Sequence, residues 1–153
     1  MNKFDKAILD LLQTDSTVAA NDIAARVGLS ATACWRRIQK LEEAGFIERR
    51  VALLNAVKLN LGVTVFVSIK TAEHSIDWLH DFHGAVAAIP EVLEVHRMAG
   101  ETDYLLRVVV PDITAYDGVY KRLIQIAKLV DVSSNFSMDR IKFTTRLPLN
   151  YVG

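Results

Sequence analysis

Two short helical patterns joined by Gly28 constrain the fold more than any other feature of the chain. In the first pattern Ile23, Ala24 and Val27 recur at the spacing that places them on one side of a helix, and Asn21 is a suitable N-cap. Gly28 follows at once, and glycine readily adopts the positive φ of a helix C-cap. The segment therefore predicts a helix that ends in a tight turn before a second helix begins.

The second pattern predicts a helix with one apolar and one basic face. Ser30 is a suitable N-cap, and Gly45 ends the pattern. Cys34, Ile38 and Leu41 lie on one face at the helical period, which indicates that they pack into a core. A basic face with small residues suits the DNA major groove. The residues that point away from the core face, with Arg37 at the border, are Thr32, Ala33, Arg36 and Lys40.

Residues 46–53 alternate in character and predict a β-ribbon after this helix, with Arg49 and Arg50 able to reach the phosphate backbone. The apolar spacing over residues 5–13 predicts an earlier helix with Asp5 as its N-cap. Three helices followed by a ribbon form the layout of a winged helix-turn-helix, which predicts DNA binding. The pattern leaves a second interpretation open, a small three-helix bundle whose charges only face solvent.

The distribution of charge favours DNA binding by several copies of the chain. The whole chain has 18 basic and 18 acidic residues and no net charge. Residues 26–50 nevertheless hold six basic and three acidic side chains, whereas residues 56–153 hold ten basic and eleven acidic ones. Each phosphate contact adds to the part of the binding free energy that comes from counterion release. A single patch of this size makes few such contacts and therefore binds DNA weakly. We therefore expect an oligomer.

Hydropathy and cysteine content predict a cytoplasmic protein. No apolar run reaches the roughly 20 residues that a transmembrane helix needs, and the N-terminal segment lacks the features of a secretory signal. The single cysteine, Cys34, excludes an intramolecular disulfide. Its place on the apolar helix face predicts a packed core residue.

The second half of the chain shows strand and helix patterns in the order β-α-β-β-α-β. This order is typical of a ferredoxin-like split βαβ fold, in which both helices cover one face of the sheet. The predicted elements are strand 62–70, helix 75–89, strand 92–98, strand 104–110, a helix opened by Pro111 that carries Ile113, Tyr116, Tyr120, Leu123 and Ala127 inward, and strand 130–143.

The uncovered face of this sheet is predicted to form a homodimer interface. Its mixed apolar surface is too extensive to remain in water. Two sheets packed face to face would bury about 800 Å² per partner in an interface of standard size. The residues expected on this face are Thr64, Phe66, Ser68, Leu105 and Val109.

The turn between the second and third predicted strands is the most site-like segment of this half. Gly100 allows backbone amides to face a small anion, and Glu101 or Asp103 would receive an ammonium group, a pairing that suits an α-amino acid. The alternative is a plain acidic turn, which the local sequence favours. Ser134, Asn135 and Ser137 on the last strand line the same pocket or face solvent.

The sequence predicts no catalytic site, no metal site and no cofactor. His80 and His83 share a helix face, but no third ligand stands at a recognisable spacing. No phosphate-binding glycine loop, nucleophile elbow or cysteine–histidine pair is present.

Over essentially its full length the chain resembles the Lrp/AsnC regulators, the leucine-responsive or feast/famine proteins. The segments that carry the resemblance are FDKAILDLLQTD, VGLSATACWRRIQKLEEAGFI, MAGETDYLLRV and SSNFSMDRIKFTTRLPL. The pattern C-x-x-R-I-x-x-L-E-x-x-G from residue 34, followed by G-E-x-D-Y from residue 100, is highly specific. Through VALLN, FVSIKT and YKRL the chain is also similar to the branch that includes cysteine-responsive detoxification regulators.

The resemblance implies a regulator whose sensor domain forms homodimers that assemble further, with an octamer as the expected form, and whose effector is a small amino acid. Effectors of the family bind between dimers, which reverses the local preference for a plain turn. The implied effector-binding residues are Met98, Gly100, Glu101, Thr102, Asp103, Tyr104, Ser134, Phe136 and Ser137. The residues expected to contact double-stranded DNA are Ser30, Thr32, Ala33, Arg36, Arg37, Lys40, Arg49 and Arg50.

We therefore predict an α+β protein with a winged helix-turn-helix DNA-binding domain over residues 1–54 and a linker over 55–61. A ferredoxin-like effector-binding and oligomerisation domain is expected over 62–153. We expect no enzyme activity and no membrane association. The alternative is a sirohaem-decarboxylase-like enzyme, which shares the two-domain layout and which the histidines of the sensor domain, His80, His83 and His96, leave conceivable.

Overall fold

The computed structural model describes residues 1–126 and 129–152, with the backbone alone at 129 and 130. The chain divides into two units. Unit 1 combines Met1–Leu53 with Ile141–Gly153, and unit 2 is Leu54–Arg140. None of the described helices is long and apolar enough to cross a membrane.

Unit 1 contains three helices around a single apolar core: α1 (Lys3–Thr14), α2 (Ala20–Val27) and α3 (Ala31–Glu43). Each helix contributes its apolar face, as the helical spacing predicts. The thiol of Cys34 is buried among these side chains, and burial raises its pKa. The buried core residues are Ile8, Leu9, Leu12, Ile23, Ala24, Cys34, Ile38 and Leu41.

The helix ends confirm two predicted caps and correct two others. Ser30 caps α3, since its hydroxyl accepts a hydrogen bond from the Ala33 amide at 3.2 Å. Gly28 ends α2 with a φ of 72°. The N-cap of α1 is Asn2 rather than Asp5, and α2 begins after Ala19 without any side-chain cap, so Asn21 lies inside the helix.

The predicted β-ribbon over residues 46–53 is not present, because these residues form no strand. The amides of Phe46 and Ile47 instead donate to the Leu41 carbonyl at 2.9 and 3.3 Å, which closes the end of α3. A ribbon needs a ladder partner for its backbone groups, and these amides are already used. The predicted linker contains a short 3-10 turn over Val57–Leu59.

Unit 2 is a four-stranded antiparallel sheet in the order β2-β3-β1-β4. Its elements are β1 (Val63–Thr71), α4 (Ile76–Ala87), β2 (Val92–Arg97), β3 (Tyr104–Val110), α5 (Ile113–Ile126) and β4 (Leu129–Phe136). Both helices pack on one face, so the predicted βαββαβ arrangement is confirmed. The strand predicted to reach residue 143 ends at Phe136.

The core of unit 2 lies between its sheet and helices. It includes Val67, Leu106 and Val108 from the sheet with Phe82 and Leu123 from the helices. The inward face of α5 differs from the prediction. Ile113 is exposed because it occupies the first turn, while Val119 is buried in its place. Ala127 lies outside the described residues.

The other face of the sheet is uncovered in the single chain. Thr64, Ser68 and Leu105 are half-buried and Phe66 is 38% exposed, as expected for this face. Val109 also lies on this face, since it pairs with Thr64, but it is only 6% exposed. It lies at the end of β3, where the chain at Glu91 runs beside it and accepts a hydrogen bond from its amide at 2.9 Å.

The C-terminal segment belongs to unit 1, although we expected residues 62–153 to form one domain. Arg146 forms an ion pair with Asp10 of α1 at 2.8 Å. The Leu147 amide donates to the Gln13 side chain of the same helix at 2.8 Å. Contacts between residues so distant in sequence leave no short-range pattern from which to predict them.

Candidate nucleic-acid interface and effector site

The outward face of α3 presents basic and hydrogen-bonding side chains. Thr32, Arg36 and Lys40 are exposed, and Ala33 between them is half-buried. Ser30 is also exposed, with its hydroxyl engaged at the Ala33 amide. The predicted face is therefore open, and its small residues at the N-terminal end leave room for a close approach to base edges.

Arg37 does not belong to this open face. Its guanidinium donates to the Asp5 carboxylate at 2.8 Å and lies 5.6 Å from the centre of the Phe4 ring. The two charged side chains are only 32% and 19% exposed. Arg37 thus joins α3 to α1, and its role in unit 1 is to hold these two helices together.

Arg36, Arg37 and Lys40 nevertheless line a common groove of about 540 Å³ at the side of α3. Asp5 is the acidic group among its lining residues, and it is already paired with Arg37. Two cations, Arg36 and Lys40, are therefore left to give the groove a positive potential. Such a groove suits a phosphate or an electronegative base edge.

The two arginines after α3 differ in their contacts. Arg50 donates to Glu42 at 2.9 Å, so its charge is partly offset. Arg49 is exposed on the irregular segment that replaces the predicted ribbon. Arg49 is therefore the better placed of the two to reach a phosphate.

Sequence reasoning missed two exposed residues of α3, Gln39 and Trp35. Gln39 lies beside Thr32 on the outward face by the helical period and is exposed. Its amide matches the donor–acceptor pair that adenine presents in the major groove. Trp35 is 51% exposed. The helical period that selected Arg36 also places Gln39 on the outward face, and the structure shows that Gln39 is exposed.

The predicted effector turn is built around Gly100 and Asp103. Gly100 has a φ of 132°, which strongly favours glycine. The Asp103 carboxylate accepts the Thr71 amide at 2.8 Å, and the Asp103 amide donates to the Ile69 carbonyl at 3.0 Å. The turn is closed by the Met98 amide, which donates to the Asp103 carbonyl at 2.8 Å. Asp103 therefore fixes the turn on the end of β1.

Other residues of this predicted site are open to solvent. Met98, Gly100 and Glu101 are exposed, and Thr102 is half-buried. Tyr104 is a correction, because its side chain is only 2% exposed and its ring centre lies 4.7 Å from that of Phe82. Alternation along β3 points Tyr104 into the core, so it supports the turn from below.

The β4 part of the predicted site lies mostly on the helix side of the sheet. Ser134 and Phe136 stand opposite Val67 and Val65, which are core residues. The Ser134 hydroxyl is hydrogen-bonded to the hydroxyl of Tyr116, whose pKa is raised by burial. The Phe136 ring meets Tyr116 edge-on at 5.3 Å. Ser134 is thus already occupied within its own chain.

The turn and Ser137 lie towards opposite ends of β1. The Ser137 amide donates to the Thr64 carbonyl, whereas the Asp103 amide donates to the Ile69 carbonyl. Five residues of an antiparallel strand separate these two contacts, which corresponds to about 17 Å. One chain therefore does not bring Ser137 to the turn.

The histidines do not form a metal centre among the described residues, where no group of three potential ligands occurs. His80 lies 3.6 Å from Asp81 on α4, and both side chains are fully open to solvent. His96 lies 3.1 Å from Glu94 on β2. His83 packs edge-on against Tyr104 at 5.8 Å.

Two family models match the chain, one over the helices of unit 1 and one over the sheet of unit 2 and part of the C-terminal segment of unit 1. Residues 1–48 match the model described as winged helix-turn-helix DNA-binding. Residues 64–147 match the Lrp/AsnC ligand binding domain, which covers more than half of the chain. The two matches correspond to the helical unit around α3 and to the sheet that carries the Gly100 turn.

Named relatives agree with these models. The chain is 51% identical to a glutamate uptake regulatory protein of Zymomonas mobilis, over 97% of this chain and 91% of that protein. It is 47% identical to the DNA-binding transcriptional activator DecR of Escherichia coli strain K12, over 97% of this chain and 99% of that protein. These relatives are regulators rather than enzymes, which argues against the sirohaem-decarboxylase alternative.

Solved structures show the same fold. An AsnC family transcriptional regulator from Agrobacterium tumefaciens is 60% identical, with a TM-score of 0.96 and 99% of both chains covered. A transcriptional regulator from Neisseria meningitidis in complex with L-Met is 36% identical, with a TM-score of 0.93, covering 98% of this chain and 97% of that one. The chain belongs to the Lrp/AsnC family of transcriptional regulators.

Proposed function

We propose that this regulator binds double-stranded DNA through the outward face of α3 and that a small amino acid, bound at the Gly100 turn, changes its DNA affinity or oligomeric state. The observation that carries the proposal is the exposed pair Arg36 and Lys40 on a helix-turn-helix unit. Residues 56–153 as a whole hold ten basic and eleven acidic side chains, so they have no excess of positive charge. A cytoplasmic location is part of this proposal.

Arg36, Thr32 and Gln39 are the side chains that we assign to base edges, with Ser30 and Ala33 at the close approach. Lys40 and Arg49 are assigned to phosphates. Arg50 also contacts a phosphate when its ion pair with Glu42 is broken. An arginine that binds guanine with two hydrogen bonds contributes about 1–3 kcal/mol of discrimination. A lysine on a phosphate contributes mainly to the salt-dependent part of the affinity.

Gel-shift titrations on DNA selected in vitro by the parent protein test this assignment. Arg36→Ala is expected to weaken binding by about 10- to 100-fold and to relax the preference at one base pair. Lys40→Ala is expected to lower the salt slope by about 1 without changing the preferred sequence. Lys121→Gln removes an exposed cation of α5 and serves as the control. Parental binding by Arg36→Ala would show that α3 does not read the groove.

The amino-acid site rests on the chemistry of the turn. Apart from its two chain neighbours, no residue has an atom within 4 Å of a Cβ added at Gly100, so a carboxylate can approach the amides. Glu101 and Asp103 supply negative charge for an ammonium group, and Glu101 is exposed beside Gly100. Because Ser137 lies about 17 Å from the turn along the sheet, we assign Ser137 and Phe136 to the site of a second copy.

A thermal-shift screen of the twenty amino acids, with L-methionine included because the Neisseria relative holds it, tests this site. Asp103→Asn keeps an acceptor for the Thr71 amide but removes the charge, and it is expected to abolish the shift while DNA binding persists. Asp117→Asn, an exposed carboxylate on α5, is the matched control. Equal titrations for Asp103→Asn and the parent would refute the assignment.

The uncovered sheet face is assigned to the homodimer, and four dimers to an octamer. Phe66 lies at the centre of this face, directly opposite Arg107, which is paired with Glu94 at 2.7 Å. Aromatic residues and arginine are both enriched at protein interfaces. Phe66→Glu is expected to yield monomers by light scattering, whereas the control Ile76→Glu, at a site 83% exposed on α4, is expected to assemble normally. An octamer formed by Phe66→Glu would contradict this interface.

A further inference from the structure

The C-terminal segment, residues 141–152, is attached along one stripe of α1. The stripe consists of Lys6, Asp10 and Gln13, which stand at the spacing of four and three residues that aligns side chains on a helix. All three make hydrogen bonds to this segment. This stripe lies apart from the apolar face of α1, so it has no role in the core of unit 1.

The strongest of these contacts is the pair formed by Asp10 and Arg146. The Arg146 guanidinium donates to both carboxylate oxygens of Asp10, each at 2.8 Å, and its Nε donates at 3.0 Å. These hydrogen bonds with Arg146 hold the pKa of Asp10 below its ordinary value. A two-point guanidinium–carboxylate contact has a defined geometry, unlike most ion pairs between mobile surface chains.

Backbone hydrogen bonds continue the attachment on both sides of this pair. Gln13 accepts the Leu147 amide at 2.8 Å and donates to the Leu147 carbonyl at 3.1 Å. Lys6 donates to the Val152 carbonyl at 2.7 Å. Between them, Leu149 packs against the core of unit 1. The segment is therefore a specific part of the DNA-binding unit rather than a loose terminus.

The chain connects the two units twice. The chain passes from unit 1 to unit 2 after Leu53 and returns to unit 1 after Arg140. Four residues, 137–140, separate the end of β4 at Phe136 from Ile141, where unit 1 resumes. The helix-turn-helix unit is thus held to the sensor unit by two connections, and the second one continues directly from a strand of the sensor sheet.

We infer that residues 141–152 act as a strap that ties β4 to α1 and restricts how far the helix-turn-helix unit moves relative to the sensor sheet. The inference rests on the proposed DNA-binding function and adds a positioning device to it. In an oligomer, two helix-turn-helix units held in this way meet two half-sites at a higher effective concentration than two units on single flexible linkers. The strap therefore raises affinity for paired half-sites only.

The first experiment measures the strap itself by hydrogen–deuterium exchange on the full-length protein without DNA. Asp10→Asn and Arg146→Gln are each expected to speed exchange of residues 141–152 by about three- to fivefold, a range set by the weakness of an exposed pair. The double variant is expected to match the single ones, because both remove the same contact. Lys121→Gln, which removes one positive charge from α5, is the charge-matched control.

The second experiment compares two DNA probes of equal length, one with the complete site selected by the parent protein and one with a single half-site. Arg146→Gln, and a chain that ends at Thr145, are expected to bind the complete site about five- to tenfold more weakly. Their affinity for the single half-site is expected to stay at the parental value. The truncated chain keeps the inference testable if loss of one ion pair alone is too small to detect.

The two experiments distinguish a positioning role of the strap from a purely stabilising one. Equal losses on both probes would show that the segment only stabilises the DNA-binding fold, and the positioning role would be wrong. Faster exchange with unchanged binding to both probes would also overturn it. Unchanged exchange in Asp10→Asn and Arg146→Gln would show that this pair does not hold the segment. A parent protein that binds neither probe would instead refute the proposed DNA-binding function.

Discussion

Arg36 and Arg37 are adjacent in sequence, but the structure predicts opposite consequences when each is replaced by alanine. Arg36 is exposed on the outward face of α3. Arg37 is paired with Asp5 at 2.8 Å and lies over the Phe4 ring at 5.6 Å. Arg37→Ala should therefore destabilise unit 1, whereas Arg36→Ala should weaken DNA binding and leave stability unchanged.

The size of the effect of Arg37→Ala follows from its two contacts. The ion pair is more buried than a typical surface pair, with side chains 32% and 19% exposed, and contributes about 0.5–1 kcal/mol. A cation over an aromatic ring at this distance adds about 0.5–1 kcal/mol. We expect Arg37→Ala to lower the free energy of unfolding of unit 1 by about 1–2 kcal/mol. A change at the surface position Arg36 should stay within about 0.5 kcal/mol.

Urea denaturation followed by tryptophan fluorescence measures this difference, because each unit contains one tryptophan. Trp35 reports on unit 1 and Trp78 on unit 2, so a Trp78→Phe background isolates the signal of unit 1. Arg37→Lys keeps the charge and is expected to fall between the parent and Arg37→Ala. An unchanged unfolding midpoint for Arg37→Ala, together with a loss of DNA binding equal to that of Arg36→Ala, would refute the structural role of Arg37.

Three further predictions concern stability. Leu106→Ala, at a fully buried position of β3, should destabilise unit 2 by about 2–5 kcal/mol in urea titrations read from Trp78, and a smaller cost would show that the site collapses. Gly28→Ala should cost unit 1 about 1 kcal/mol because φ is 72° there, and a neutral result would exclude this left-handed cap. The pKa of Asp10 is lowered from 3.8, mainly by Arg146, so the attachment of the strap should be complete above about pH 3.8 and weaken as the pH falls through the lower folded-state value. Carboxylate titration by NMR that shows an ordinary pKa for Asp10 would contradict this last prediction.

Much of the fold was predictable because it depends on short-range periodicity. The apolar spacing of α3 identified Cys34, Ile38 and Leu41 as core residues, and all three are buried. Period-two alternation located the strands, and their order with the helices indicated the sheet topology. The predictions were wrong where a contact with a residue distant in sequence sets the role of a side chain. Asn2 caps α1 in place of Asp5, whose carboxylate is engaged by Arg37.

In the candidate sites, too, short-range periodicity was predictable and contacts between distant residues were not. The helical period located the outward face of α3, but it placed Arg37 only at the border, and the contact with Asp5 decides its role. Resemblance to the family pointed to Ser134, while the sheet register turns its hydroxyl towards Tyr116. In each case the sequence specifies which side chains are available, and tertiary contacts decide which of them remain free.

By itself, the sequence determined that this chain has a helix-turn-helix unit, a βαββαβ sheet unit and the chemistry of a DNA-binding regulator. These features depend on residues that lie within a few positions of one another, where backbone geometry alone sets the relation. Only the tertiary structure decided that residues 141–152 return to α1, since Asp10 and Arg146 are 136 positions apart. Contacts at such a separation depend on the packing of the whole unit, and no local sequence pattern predicts them.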